Sequence, residues 1–280
     1  MKKIIVAIDG LKYSQSATEY GIQLAKENDA HLVGIFLDDL TYHSYKIYEV
    51  IHSEGGVSEE KIERFSTQDK EKRNLSAQQF ENACRDARIN YSIHHDRNVA
   101  IHELIHETIY SDLLVIDRKE TLTHYEENLP TRFIRDLLAN AECPVLIVPP
   151  HFQEIKRNVM LYDGEPPSVN AIKIFSYLFP NYCDRETEVI SIKSMPDDFH
   201  LPQNRLMKEF MKRHFSHATY TILKGLPEIE IVSHLEGKQQ HELIVMGSYR
   251  RGMVSRWFRP SVADELMREI QAPLFIAQNK

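Results

Sequence analysis

The chain has 280 residues, of which 42% are hydrophobic and 27% charged, values typical of a globular protein and unlike a disordered or collagen-like one. Its net charge of −7 argues against nucleic-acid binding, which needs a basic face to neutralise phosphates. No apolar run approaches the ~20 residues that cross a bilayer, the start MKKIIVAIDG lacks a signal-peptide pattern, and three cysteines are too few for a disulfide framework. We therefore expect a cytoplasmic protein with no membrane or nucleic-acid partner.

Apolar, β-branched runs alternate with amphipathic stretches along the chain. In chain order the pattern predicts a strand at 4–8, a helix at 14–26, a strand at 32–37, a helix at 76–87, a strand at 91–93, a helix at 100–110, a strand at 113–116, a helix at 131–141 and a strand at 145–148. This alternation indicates βαβ units around a parallel sheet. The closing strand is expected to end at Pro149-Pro150, which cannot donate to a ladder.

The sequence then repeats itself at a constant spacing. One strand-like run ends in Asp9-Gly10 and another in Asp163-Gly164, and both continue as D-G-x3-S-x2-A. The matched positions lie 154 residues apart. Self-similarity of this kind indicates two copies of one folding unit.

A second pair of anchors lies later in each copy. Asp117 and Gly247 end apolar runs 130 residues apart, and the same spacing separates Thr131 from Ser261. The fall in spacing means that the first copy has 24 extra residues. We place them around 41–74, where the charged part is expected to form a solvated helix or hairpin. The sequence thus predicts a first domain over 1–150, which contains this insertion, and a second over 151–280; these are called the first and second halves below.

These motifs resemble those of the universal stress protein family. The family pattern has an Asp after the first strand and G-x2-G-x9-G-[ST] after the fourth, followed by the last helix and strand. From Gly247 the second half reads G-x2-R-x9-P-S, and from Asp117 the first half reads D-x2-E-x9-P-T. The resemblance implies an α/β fold of two tandem doubly wound, parallel-sheet (Rossmann-like) universal-stress-type domains.

Domains of this family pair through their last strands. The resemblance therefore implies that 145–148 and 274–277 pair edge to edge within one chain, which would cover two sheet edges. The product is an intramolecular pseudo-dimer of the two halves. Whether two such chains associate further as a homodimer is left open.

Members of the family often hold ATP at this loop. Glycine-rich backbone amides and a helix N-terminus form a nest for phosphates, and the Asp after the first strand would accept hydrogen bonds from adenine. The matching positions of the second half are Asp163, Met246, Gly247, Arg250, Ser261 and Val262. There Arg250 replaces a glycine. Its guanidinium would either make two parallel hydrogen bonds to a phosphate or occupy the phosphate site itself.

The first half departs further from the pattern. Asp117 and Glu120 stand where the first two glycines belong, and carboxylates repel phosphate. Pro130 replaces the third glycine and removes a donor amide. The sequence leaves the cofactor unidentified and restricts any ATP site to the second half.

The same residues also have purely structural interpretations. Asp9 and Asp163 are suited to start a turn with the glycine that follows. Thr131 and Ser261 are suited to cap helices, and Ser261 with Asp264 resembles a weak capping box. These roles hold whether or not ATP binds.

A literal H-E-x-x-H motif begins at His102. On a helix, His102 and His106 share a face and can bind zinc, with Glu103 as general base. The matching residues 232–236 of the second half lack the motif, and no third histidine follows at metzincin spacing. A zinc-dependent hydrolase is therefore a remote alternative, and incidental metal binding by the two histidines is another.

Three interpretations of function stay open. The first is a cytoplasmic stress-response regulatory or adaptor protein with a degenerate nucleotide site in its second half and no robust catalysis. The second is a protein-binding scaffold that has lost both nucleotide sites, and the third is the zinc-dependent hydrolase. Walker A and G-x-S-x-G motifs are absent from the sequence, and no feature identifies the protein partner.

Overall fold

The computed structural model describes residues 1–39, 59–123, 125–193, 200–237, 241–247 and 262–278. The elements of the first half are β1 (Lys3–Asp9), α1 (Gln15–Asn28), β2 (His31–Asp39), α2 (Glu59–Asp86), β3 (Tyr91–Asn98), α3 (Ala100–Ile109), β4 (Leu113–Asp117), α4 (Arg132–Asn140) and β5 (Val145–Val148). Those of the second half are β6 (Arg157–Leu161), α5 (Pro166–Leu178), a 3₁₀ turn (Pro180–Tyr182), β7 (Glu186–Lys193), α6 (Asn204–His214), β8 (Ala218–Lys224), α7 (Pro227–Leu235), β9 (Glu242–Gly247), α8 (Val262–Glu269) and β10 (Leu274–Ala277).

The ten strands of the described residues form one sheet in the order β3-β2-β1-β4-β5-β10-β9-β6-β7-β8. Neighbours within each half are parallel, for example β1 with β2 and β4, and β6 with β7 and β9. This order and direction confirm the doubly wound α/β fold that the sequence predicts. The strand β5 ends at Val148, immediately before Pro149-Pro150.

The two halves meet through β5 and β10. These strands are antiparallel, with Phe275 opposite Leu146, which confirms the predicted edge-to-edge pairing. Because this one pairing is antiparallel, the carboxyl ends of the first five strands and those of the last five lie at opposite ends of the sheet.

A hydrophobic layer covers each face of the sheet and runs through both halves. Along β5, Leu146 and Val148 face one layer while Val145 and Ile147 face the other, as side chains alternate along a strand. Phe275 of β10 joins the first of these layers. The halves therefore share a continuous core on both faces.

Within the described residues, helix α2 is the main difference between the halves; the part of the predicted 41–74 insertion that precedes residue 59 lies outside them. Helix α2 has 28 residues, whereas α6 in the matching place has 11. Its charged start, for which the sequence allows a helix or a hairpin, continues directly into the helix predicted at 76–87. Ser76, Phe80 and Cys84 are buried at i, i+4 and i+8, the spacing of one helix face. That face packs on β2 and β3, where Phe80 meets the ring of Phe36 edge-on at 5.9 Å.

Candidate functional site

Each half has a point where the strand order reverses, between β1 and β4 in the first and between β6 and β9 in the second. In open α/β sheets, ligands bind outside the carboxyl ends of the strands at this point. Asp9 and Asp117 end the two strands in the first half. In the second half Asp163 follows β6 and Gly247 ends β9. These four residues thus lie at the two switch points.

In the first half the Asp-Gly turn is buried. Asp9 is 5% exposed, and its Oδ1 accepts a hydrogen bond from the amide of Leu11 at 2.8 Å. This contact gives Asp9 the turn-forming role that the sequence allows. Burial raises the pKa of Asp9, although Lys12 and Arg73 act in the opposite direction.

Helix α2 covers this turn. Ser76 Oγ donates to the carbonyl of Gly10 at 2.9 Å, and Arg73 Nη2 lies 2.7 Å from Asp38 Oδ1 in a mostly buried ion pair. The Cγ of Arg73 lies 3.0 Å from the position that a Cβ on Gly10 would occupy. A side chain from the longer helix therefore lies directly over the Asp-Gly turn.

Glu120 fills the loop that follows β4. Its side chain is 7% exposed, and its Oε1 accepts hydrogen bonds from the amides of Thr121 at 3.0 Å and Leu122 at 2.9 Å. Burial raises its pKa to about 7, and the carboxylates of Asp9 and Asp117 act in the same direction. Successive amides of this kind bind anions, and here the protein's own carboxyl group accepts from them.

Two further contacts hold the first-half loop. Thr131 Oγ1 donates to the carbonyl of Glu120 at 2.5 Å and accepts from the amide of Ile134 at 3.2 Å, which confirms Thr131 as the N-cap of α4. Ser14 Oγ, which caps α1, donates to Asp117 Oδ2 at 2.9 Å. Asp117, which stands at a glycine position of the family pattern, is therefore hydrogen-bonded to the N-cap serine of α1.

In the second half the corresponding aspartate is accessible. Asp163 is exposed, and its Oδ1 accepts hydrogen bonds from the amide of Glu165 at 2.9 Å and from Ser168 Oγ at 2.7 Å. These bonds orient the carboxylate and form the predicted turn. Gly164, at φ +91°, lies beneath Pro202, so this turn is covered by a proline rather than by a charged helix.

The retained glycine of the second half lies against the start of α5. A Cβ on residue 247 would lie 2.4 Å from the carbonyl oxygen of Pro167, a distance that only glycine avoids. Met246 is buried beside it, and Val262 starts α8 at the core boundary. Arg250, Pro260 and Ser261 lie outside the described residues, so their roles stay predictions.

The model of the universal stress protein family matches residues 1–149. The chain belongs to the universal stress protein family. A universal stress protein from Archaeoglobus fulgidus is similar in structure, with a TM-score of 0.72 and 15% identity over 99% of this chain and 98% of that one. A protein of unknown function from Pseudomonas aeruginosa has a TM-score of 0.56 and 14% identity over 99% and 92%. At such identities these likenesses show the fold alone.

No curated protein has a sequence significantly similar to that of this universal stress protein. Among the residues that the structure describes, no helix is both long enough and apolar enough to span a bilayer.

The H-E-x-x-H histidines lie on the surface of this universal stress protein. His102 and His106 are exposed on α3, and the ring of His106 lies 5.5 Å from that of Tyr110. Within the described part of the chain, no three His, Cys, Asp or Glu side chains are grouped to hold a metal. Metal binding by the two histidines alone stays a prediction.

A buried charge network at the other end of the second-half strands escapes sequence reasoning. Arg157 lies 2.5 Å from Glu188 and 3.0 Å from Glu242, and Glu188 also accepts hydrogen bonds from Thr221 and His234. Burial acts to raise the pKa of Glu188, but these partners outweigh burial and lower it. In the sequence, the charge of Glu188 within an otherwise apolar strand is a signal of such a network. Its partner Arg157 is identified only by the strand order, which places β6 beside β7.

Proposed function

We propose that this universal stress protein is a cytoplasmic stress-response regulatory or adaptor protein with a single nucleotide site, in its second half. The contrast between two matched aspartates carries the proposal. Asp9 is buried beneath α2 and beside Glu120, whereas Asp163 is exposed and its carboxylate is oriented by Ser168. A ligand can reach only the second of them.

The loop chemistry supports the same assignment. A phosphate needs free backbone amides, and in the first half Glu120 binds the amides of Thr121 and Leu122. The second half has Gly247 at the position of Asp117, and its sequence supplies Arg250, whose guanidinium suits phosphate. Charge at the two loops therefore favours an anion in the second half and excludes it from the first.

The cysteines fit a reducing compartment. All three are free thiols, as is usual in the cytoplasm. Burial raises the pKa of Cys84 and of Cys143 to about 12, so neither thiol forms the thiolate that nucleophilic catalysis needs.

The test compares matched variants by thermal unfolding and titration calorimetry with Mg-ATP, using Mg-GTP as the control nucleotide. A ligand at 100 times its Kd stabilises a protein by about 2.7 kcal/mol, which shifts the midpoint by several degrees. We expect this shift in the wild-type protein and in Asp9→Asn. We expect its loss in Asp163→Asn and in Arg250→Glu.

Three results would contradict the proposal. Equal loss of binding in the two asparagine variants would mean that the effect is structural, and loss in Asp9→Asn alone would move the site to the first half. A wild-type protein that shows no shift would favour the scaffold interpretation, in which both sites are lost.

A further inference from the structure

Arg118, the residue after Asp117, is buried against the other half. Its side chain is 5% exposed, and its Nη1 donates to the carbonyls of Met267 at 3.2 Å and Ile270 at 2.7 Å. Its Nη2 donates to Gln271 Oε1 at 2.6 Å. The last carbonyls of a helix lack partners within the helix, and a cation there is also favoured by the helix dipole. Arg118 therefore caps the carboxyl end of α8.

The same first-half region contacts α8 at two more points. Arg268 Nε donates to the carbonyl of Leu129 at 2.8 Å, and Arg135 of α4 lies 3.2 Å from Asp264. The loop that provides these partners is held internally by Glu120. A loop with its own hydrogen-bonded carboxyl group thus forms a firm support for α8.

The residues that make these contacts are not repeated at the matching positions of the other half. At the 130-residue spacing, Arg118 corresponds to Ser248 and Arg268 corresponds to Leu138, and neither residue has a guanidinium. The carbonyl of Leu138 in α4 instead accepts one neutral bond, from Gln278 at 3.1 Å. Among the described residues, the charged contacts therefore join the first-half loop and α4 to the second-half helix.

Helix α8 runs from the end of the second-half loop in the sequence to the first-half loop. Its carboxyl end contacts Arg118 at the first-half site, and its amino end, Val262, follows directly on the second-half loop. The antiparallel pairing of β5 and β10 makes this arrangement possible. The helix has eight residues and a length of about 12 Å, so it moves as one body and fixing one end places the other.

We infer that Arg118 is a positioning residue for the nucleotide site of the second half, and that the first-half loop now serves this purpose instead of binding a ligand. The guanidinium holds the carboxyl end of α8 and thereby places its amino-terminal amides toward the phosphates. The inference rests on the proposed function, because it concerns the same second-half site.

The test measures the Kd for Mg-ATP and hydrogen exchange in Arg118→Ala, with Lys119→Ala as the matched control. Lys119 is the exposed neighbour of Arg118. We expect the Kd to rise about tenfold in Arg118→Ala, within the usual range of coupling between two sites, with faster exchange in α8. The Kd of Lys119→Ala should equal that of the wild type. The Kd of Arg118→Lys should lie between those of the wild type and Arg118→Ala, because lysine keeps the positive charge but lacks the planar guanidinium that donates several hydrogen bonds at once.

The readout separates positioning from general stability. Binding is measured at a temperature at which circular dichroism shows every variant fully folded, so a merely structural role leaves the Kd unchanged. If Arg118→Ala does not fold, Arg268→Ala removes a more exposed contact with the same loop and should still weaken binding.

The outcomes also separate the two proposals. Wild-type affinity in Arg118→Ala, or in Arg268→Ala where it takes its place, overturns the inference and leaves the second-half site standing. If the wild-type protein shows no binding that depends on Asp163, the proposed function fails, and the inference fails with it.

Discussion

The two Asp-Gly turns of this chain begin with the same sequence pattern and end in different surroundings. Asp9 is buried under a helix with a buried arginine over it, and Asp163 is exposed beside a proline. The serine that both copies of the repeat contain makes different hydrogen bonds in the two halves: Ser14 donates to Asp117, whereas Ser168 donates to Asp163. The position that matches Asp117 is Gly247 in the second half, so no carboxylate is present there to accept from Ser168.

The comparison shows how a loop can satisfy its own backbone amides. Glu120 supplies an acceptor for the amides of Thr121 and Leu122. Buried polar groups need partners, and in the first half a side chain of the loop itself provides one.

The largest expected effect is that of Glu120→Gln on the pH dependence of stability. The pKa of Glu120 is raised to about 7 in the folded protein, above its ordinary value, so the folded state binds more protons than the unfolded state between pH 4.5 and 7. Stability therefore falls as pH rises through this window. The free energy of unfolding of the wild type should therefore fall by up to about 3 kcal/mol between these pH values. We expect Glu120→Gln to lack this fall and to be more stable than the wild type at pH 8.

The measurement is urea unfolding at pH 5 and pH 8. The control is Glu126→Gln, an exposed glutamate in the same loop, which should keep the wild-type pH profile. If Glu120→Gln has the same profile as the wild type, the carboxyl group is not held in the protonated form at neutral pH.

A second, smaller effect separates the glycines of the two turns. Gly164 has φ +91°, and an added Cβ would lie 2.5 Å from Pro202 Cβ, so Gly164→Ala should cost about 2 kcal/mol through backbone strain and overlap. Gly10 lacks a left-handed φ and meets only the flexible side chain of Arg73. Gly10→Ala should cost less than about 1 kcal/mol, and an equal loss in both thermal midpoints would contradict this difference.

The smallest expected effect concerns the cover of the first turn. Arg73→Ala removes one partner of Asp38 and should cost about 1–2 kcal/mol, between the ~0–1 kcal/mol of an exposed pair and the ~3–5 kcal/mol of a fully buried one. Arg85→Ala, which removes an exposed pair with Glu81 on the same helix, should leave the midpoint unchanged. Neither variant should create ATP binding in the first half, since Glu120 still occupies the loop; ATP binding by Arg73→Ala would show that α2 alone excludes the ligand.

The fold and the local contacts follow from the sequence because they are encoded in short patterns. Hydrophobic periodicity locates the strands, the repeat locates the halves, and the turn at Asp9 and the cap at Thr131 involve residues within three positions of each other. The contact between Ser76 and Gly10 joins residues 66 apart, and that between Arg118 and Ile270 joins residues 152 apart. Such contacts depend on how whole helices pack, which no local pattern specifies.

The antiparallel pairing of β5 and β10 also has an evolutionary consequence. In a homodimer of identical chains, every substitution appears at both symmetric positions, so a glutamate that closes one site closes the other. Covalent fusion of the two copies removes that constraint. One copy can then accumulate changes such as Glu120 while its twin keeps Gly247, so the two halves of a single chain are free to differ in sequence and in contacts.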